Sequence, residues 1–465
     1  MKNTLLVLLI AQLSEPERRQ ALDWLQSPVH NRRPDLVMLY TFLAERVLDL
    51  QLTPSREACY HHLYPDQPFD DQQLRLLCSY LLKCLEEWLA WRQWQQDSGE
   101  PSLALLRAYR EKGLEKHFRH QARRVTAGWQ TTEHRHADHF LHRFRLEQEV
   151  YSWASRSGRD QPLNLQAQED ALQTAFMGYK LRQACLAVAH QQVFPANYQL
   201  YMLPELLHWA EQAPFRDEPA IQLYRHIYAM YRDDRQETAF RAYQRALFEH
   251  ATSFPSEEGR DLLLFGINYC IRRINQGQQA FQREAFALYQ KGLDDNLLLK
   301  EGRLSPFTYN NIIGIALRLN ELEWAEHFLH AFRSKLEARQ REPIFALNAG
   351  RIAYHRQDFR AALQHLHRAD NKDFIHHMTA KTLQLKIYFE SGDHQLLASH
   401  IKNVRAYLRR RRQPGYHEQV FGNIFMLTEQ LLKLPPYADA QRAALRQRIE
   451  QTQPLTEKAW LLAQL

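Results

Sequence analysis

The chain has 465 residues, a length for about three ordinary domains or for one long repeat array. Only 15 are glycine, about 3% against the usual ~7%, which argues against Gly-rich phosphate loops, tight β-hairpins and β-sandwich turns. With 45% apolar residues, 24% charged residues, a formal charge of +7 and an abundance of Leu, Ala, Gln, Arg and Glu, the chain reads as folded and largely or wholly α-helical.

Residues 1–100 predict an N-terminal helical domain that is acidic on balance, with 10 Lys/Arg against 14 Asp/Glu. The apolar run Leu5 to Ala11 imitates a signal peptide. It leads, however, into Ser14-Glu15-Pro16-Glu17, a capping-box pattern with proline in the first turn, and no small-residue cleavage pattern follows cleanly. The run therefore reads as a short core helix. Helices are expected over about 3–12, 15–26, 34–50, 55–63 and 71–95, the last capped by Asp70 or Asp71. In that last helix Leu74, Leu77, Cys78, Leu81, Leu82, Leu85, Trp88 and Leu89 make one wide apolar face. Trp88, Trp91 and Trp94 follow at intervals of three and are expected to pack against the next layer.

Residues 101–165 predict a basic, His-rich helical connector; 12 Lys/Arg face 7 Asp/Glu over 101–160. His136, His139 and His142 partly share a helix face, where imidazoles can converge on a metal. No Cys ligand or HExxH accompanies them, so they read as solvated, and no metal or cofactor is expected. Five cysteines without a CxxC pair read as reduced thiols of a cytosolic, cytoplasmic protein. Walker A, GxGxxG, HExxH and GxSxG patterns are missing, so no enzymatic activity is expected. Cys270, just before Arg272 and Arg273, comes nearest to the setting of a nucleophile. No stretch approaches the ~18 uninterrupted apolar residues of a membrane span.

From 166 to 465 a helix–turn–helix unit recurs. Small residues stand early in the second helix of each pair at Ala239, Ala285, Ala325 and Ala362, with Leu397 in the equivalent place. Four residues on stand Tyr243, Tyr289, Leu329, Leu366 and Ile401. Seven on stand Ala246, Gly292, Phe332, Ala369 and Val404. A small residue lets two helices approach, and a larger one fills the groove between pairs. Gly350 is expected at a close helix contact and Gly392 at a turn.

On these positions the chain resembles the tetratricopeptide repeat, best over Tyr309 to Phe332 and Ala346 to Ala369, where Gly350, Phe359, Ala362, Leu366 and Ala369 take the family's places. It departs from the family in having Tyr309 or Ala346 for the leading Trp, generally no terminal Pro, and units longer than the usual ~34 residues. The resemblance implies an all-α fold, an α-solenoid of TPR-like hairpins closed by helices over about 417–433 and 438–463. It further implies a scaffold or adaptor that binds a protein or peptide segment in a concave groove. Asn311, Asn348, Arg351 and Lys386 would hold the partner's backbone and carboxylates, with Phe307, Tyr309 and Tyr354 as apolar neighbours.

The alternative is a regulatory protein that contacts nucleic acid through basic helical surfaces, with Arg409, Arg410, Arg411 and Arg412 as its clearest cluster. The N-terminal pieces Ser27-Pro28 with Asn31, Leu63-Tyr64-Pro65-Asp66 and Phe69-Asp70-Asp71 resemble uncharacterised bacterial helical proteins, a likeness that implies no activity.

Overall fold

The fold is that of a computed structural model describing every residue except 2, 50–52, 98, 133, 158–161, 233–236, 370–372, 411–414 and 436–438. The protein is all-α. Among the described residues the only extended pairing is an isolated bridge between Lys300 and Arg303, and no helix is long and apolar enough to cross a membrane. The chain divides into two compact units, Met1–Thr132 with Asp138–Ala175, and 133–137 with Phe176–Leu465. Most of the basic segment 101–165 thus belongs to the first unit.

The helices of the first unit are α1 (Leu5–Ile10), α2 (Glu15–Gln26), α3 (Pro34–Ala44), α4 (Arg56–Leu63), α5 (Asp71–Gln96), α6 (Glu100–Glu111) and α7 (Glu115–Thr131). Most of α8 (Ala137–Ala154) and the first part of α9 (Leu165–Gln191) also belong to it. The predicted helix over 34–50 ends its α-helical part at Ala44 and continues as a π-helical turn, Glu45–Asp49. The Ser14 backbone N–H donates to Glu17 Oε2 at 2.8 Å, closing the capping box that starts α2. Asp70, not Asp71, caps α5, its carboxylate accepting from the N–H groups of Gln72 and Gln73. The α5 stripe Leu74, Leu77, Leu81, Leu85 and Trp88 is buried in one core with residues from α1 to α4, including Ile10, Leu25, Leu39 and Tyr60.

The three tryptophans do not stay together. Trp88 is 1% exposed, whereas Trp91 and Trp94 are 45% and 37% exposed. Steps of three fall about 60° short of a full turn, so by Trp94 the stripe has rotated ~120° out of the core.

The second unit is built of hairpins. After α10 (Leu203–Trp209) come α11 and α12 (Pro219–Arg232, Glu237–His250), then α13 and α14 (Ser256–Asn275, Phe281–Asp294). Next are α15 and α16 (Pro306–Arg318, Leu322–Ala331), α17 and α18 (Ala338–His355, Phe359–Arg368), and α19 and α20 (Phe374–Glu390, His394–Arg409). The unit closes with α21 (Tyr416–Leu432), α22 (Asp439–Gln451) and α23 (Lys458–Ala463). Each first helix packs on its own second helix. Each second helix abuts the following first helix, and α15, α17 and α19 pack on one another in sequence.

The predicted register falls on the packed faces of the second helices. Ala285, Ala325, Ala362 and Leu397 have no exposed surface, Ala239 is only half-buried, and Tyr243, Tyr289, Leu329, Leu366 and Ile401 are buried. Gly350 is a close contact: a Cβ there would stand 3.0 Å from Leu366. Gly392 adopts φ +73° in the turn between α19 and α20. Buried tyrosines tie neighbouring helices together. Tyr231, Tyr243 and Tyr309 donate their hydroxyls to the carbonyls of Phe265, Leu262 and Leu329 at 2.9, 2.7 and 2.6 Å.

One expectation fails near the end of the chain. The single helix expected over 438–463 is broken into α22 and α23 by a non-helical strap, residues 452–457. Pro454 accounts for the break, because it has no N–H to donate and pushes the preceding residue out of the helical region. The strap is tied down by Asn423 of α21, whose side-chain amide donates to the Pro454 carbonyl at 2.8 Å.

Two half-buried histidines of this unit make its stability pH-dependent. Burial lowers His226 and His400 from 6.5 to about 4, and His400 Nε2 donates to the Lys381 carbonyl at 2.8 Å. Between those values the unfolded chain binds protons that the fold does not. Stability should therefore be untouched by these groups above pH ~6.5 and fall as the pH drops from there towards ~4, by up to ~1.4 kcal/mol per pH unit for each histidine. Urea midpoints taken across this range check the slope. Replacing both histidines by Gln should flatten it, and an unaltered slope in that double variant would contradict the assignment.

Candidate functional site

All five cysteines are free; Cys59, Cys185 and Cys270 are buried, and burial pushes each of these thiols well above its ordinary value. Among the described residues no group of three or more His, Cys, Asp or Glu is arranged to hold a metal ion. His142 instead sits 3.6 Å from Asp97 and 3.7 Å from Glu100 within the first unit.

The face shared by the first helices of the second unit is hollow, with polar and charged groups set among apolar side chains such as Ile271, Phe307 and Leu347. A cavity of about 300 Å³ is lined from α13, α15, α17 and α19, by Asn275, Asn310, Asn311, Arg318, Arg351 and His376 among others. Asn311, Gly314 and Arg318 lie at i, i+3 and i+7, so one face of α15 carries all three into the cavity wall. Arg351 Nη1 donates to the Asn310 carbonyl at 2.9 Å and to Asn348 Oδ1 at 3.1 Å. Gly314 makes room for that guanidinium, since a Cβ there would stand 2.5 Å from Arg351 Nη2. Burial, and then the neighbouring Arg318, pull Arg351 down to about 10, which leaves it charged at neutral pH.

The four residues singled out from the sequence have different surroundings. Asn311 is exposed on the cavity wall. Asn348 is fully buried and its amide is consumed internally, donating to Asn310 Oδ1 and to the Ile344 carbonyl. It supports Arg351 rather than facing the cavity. Lys386 is in an ion pair: its Nζ lies 2.8 Å from Glu457 Oε2 of the strap, and its side chain is 13% exposed. The same ammonium stands 4.8 Å over the Tyr354 ring and 5.7 Å over the Trp460 ring. Tyr354 and Trp460 in turn donate to the Glu390 carboxylate at 2.5 and 2.6 Å. Of the apolar neighbours, Tyr309 is core, Tyr354 belongs to this lysine site, and Phe307 stays half exposed in the cavity, its ring 5.0 Å from that of His376.

Glu457 is the centre of the charge. Burial would raise its pKa, but Lys386, by charge and by hydrogen bond, and then Arg318 and Arg351 hold it below the ordinary glutamate range. His376 is buried in the wall, its Nδ1 3.2 Å from Asp373 Oδ1, with neither ring nitrogen in a hydrogen bond.

The second basic cluster lies apart, at the end of α20. Arg409 and Arg410 are exposed, and Arg411 and Arg412 lie outside the described residues. Arg409 lines a groove with Lys402, Arg405 and Lys433, where Glu429 pairs with both Arg405 and Lys433.

Sequence reasoning missed Asn310, Gly314, Arg318, His376 and Glu457. Arg318 was findable, because it lies seven residues from Asn311 on the same helix face. Glu457 carried no such signal, being 71 residues from Lys386. Comparison of the chain with protein-family models, with curated proteins and with solved structures returns no match.

Proposed function

We propose that the protein is a non-enzymatic adaptor that holds a protein or peptide segment in a groove along the first helices of its hairpin array. The observation that carries this reading is convergence: α13, α15, α17 and α19 all contribute to one cavity, and Arg318 and Arg351 line it together. A surface assembled from several consecutive hairpins suits an extended ligand better than a compact one. Exposed Asn311 can pair with a peptide backbone, and the guanidinium groups can take its carboxylates. The resemblance to the tetratricopeptide repeat points to the same face. Free thiols throughout fit a reducing compartment such as the cytoplasm.

Photo-cross-linking in the source cells tests this. A benzophenone amino acid placed at Asn311 should yield a discrete adduct with another protein. The same group at Leu396, exposed on the second helix α20, should not. Arg318→Glu should cut the Asn311 adduct by about tenfold, as reversing a contact charge does. No adduct from Asn311, or equal adducts from both positions, would defeat the reading.

A further inference from the structure

The strap and the cationic face fit each other as a ligand fits a site. Residues 452–457 contain one acidic side chain, Glu457, and it is the one that meets Lys386. Arg318 and Arg351, which line the cavity, act on that same carboxylate. The strap runs beside the cavity: Asn275 lines it and also lines a neighbouring hollow of about 710 Å³ whose other walls are His417, Val420, Lys458 and the strap itself. Glu457 holds its place with φ +54°, a left-handed conformation that costs a non-glycine residue ~1–2 kcal/mol. A helix running on from α22 would have avoided that strain. The strap thus spends backbone strain to set a carboxylate against Lys386, within the field of Arg318 and Arg351 and beside open space.

We infer that the strap is a built-in occupant of the groove, and that the ligand to which it yields is an extended acidic polypeptide segment whose carboxylate replaces that of Glu457. This rests on the adaptor reading and adds to it the ligand's chemistry and a gate. The exchange is one carboxylate for another on Lys386, in the field of Arg318 and Arg351, so the incoming segment gains no charge pairing that the strap lacked. A tethered competitor acts at an effective concentration of ~mM, so the closed protein binds free acidic peptides weakly until the strap is loosened.

The experiment uses the full chain and a fluorescein-labelled peptide with the strap's own sequence, residues 452–457 with an amidated C-terminus, so that Glu457 is its one charged side chain, read by fluorescence anisotropy. Glu457→Gln removes the internal carboxylate with little change of shape. Asn423→Ala loosens the strap through its Pro454 tie and leaves every charge in place, which keeps the test sound if either variant fails to fold. Both variants should bind the peptide at least about tenfold more tightly than the unaltered protein. A peptide carrying Gln in place of its Glu should bind none of the three. Equal affinity of all three proteins for the acidic peptide would overturn the strap's role as occupant, while the adaptor reading would still stand or fall by the Asn311 cross-link. Binding to none of them would overturn the carboxylate assignment. Displacement of the peptide by a ten-nucleotide dA strand at ~150 mM salt, where phosphate contacts are already weakened, would overturn the choice of a polypeptide.

Discussion

Phe240→Ala is expected to destabilise the second unit by about 3–5 kcal/mol. Phe240 is fully buried on α12 and stacks on Tyr269 of α13, with centroids 5.3 Å apart and planes 15° from parallel. It also meets Phe281 of α14 edge-on at 5.5 Å and Tyr243 at 6.1 Å. One ring therefore serves two hairpins. Its removal leaves a cavity and deletes aromatic pairs worth ~0.5–1.5 kcal/mol each beyond their buried area. In a quasi-one-dimensional array, losing an interface also weakens the coupling between neighbours. Amide exchange in α12 to α14 should accelerate sharply, and the urea transition should move to lower concentration. A loss below about 1 kcal/mol would mean that the hairpins do not share this core.

Two helix-interior glycines should respond to alanine with opposite signs. At Gly266 in α13 a Cβ would stand 2.5 Å from both Cε1 and Oη of Tyr243. That ring cannot swing away cheaply, because its hydroxyl donates to the Leu262 carbonyl at 2.7 Å. Overpacking of ~1–3 kcal/mol outweighs the ~1 kcal/mol that alanine gains in helix propensity. At Gly422 in α21 nothing stands within 4 Å of the added Cβ, so the propensity gain of ~0.5–1 kcal/mol is kept. Thermal unfolding should show Gly266→Ala melting below the unaltered protein and Gly422→Ala above it. Shifts of the same sign would refute the packing argument.

These positions also show how far the fold could be read in advance. Local rules were sufficient where one turn of chain decides the outcome. Ser14 and Glu17 started α2, and Asp70 started α5. The spacing from Ala325 to Leu329 and from Ala362 to Leu366 placed buried residues on second helices, because helical periodicity and close packing act over a few residues. Where the rule was pushed past its period, as with Trp88, Trp91 and Trp94, the rings rotated out of the core. The site was legible in part. Asn311 and Arg351 do line the cavity, but nothing local shows that Asn348 is committed to Asn310, or that Lys386 meets a carboxylate from a different part of the chain. Such partners are set by how successive hairpins stack, a long-range outcome that no single window of sequence contains.

The pair between Lys386 and Glu457 spans 71 residues, so the two charges come into being at different times. At ~5–20 residues per second, a ribosome takes about 4–14 s to travel from one codon to the other. Throughout that interval the nascent array carries Lys386 without its internal carboxylate. On the proposed adaptor reading, a segment that reaches the groove during synthesis would meet no competitor, whereas one arriving later would wait for the strap to leave. Under the proposed gate, timing relative to translation, and not affinity alone, would decide which molecules are loaded.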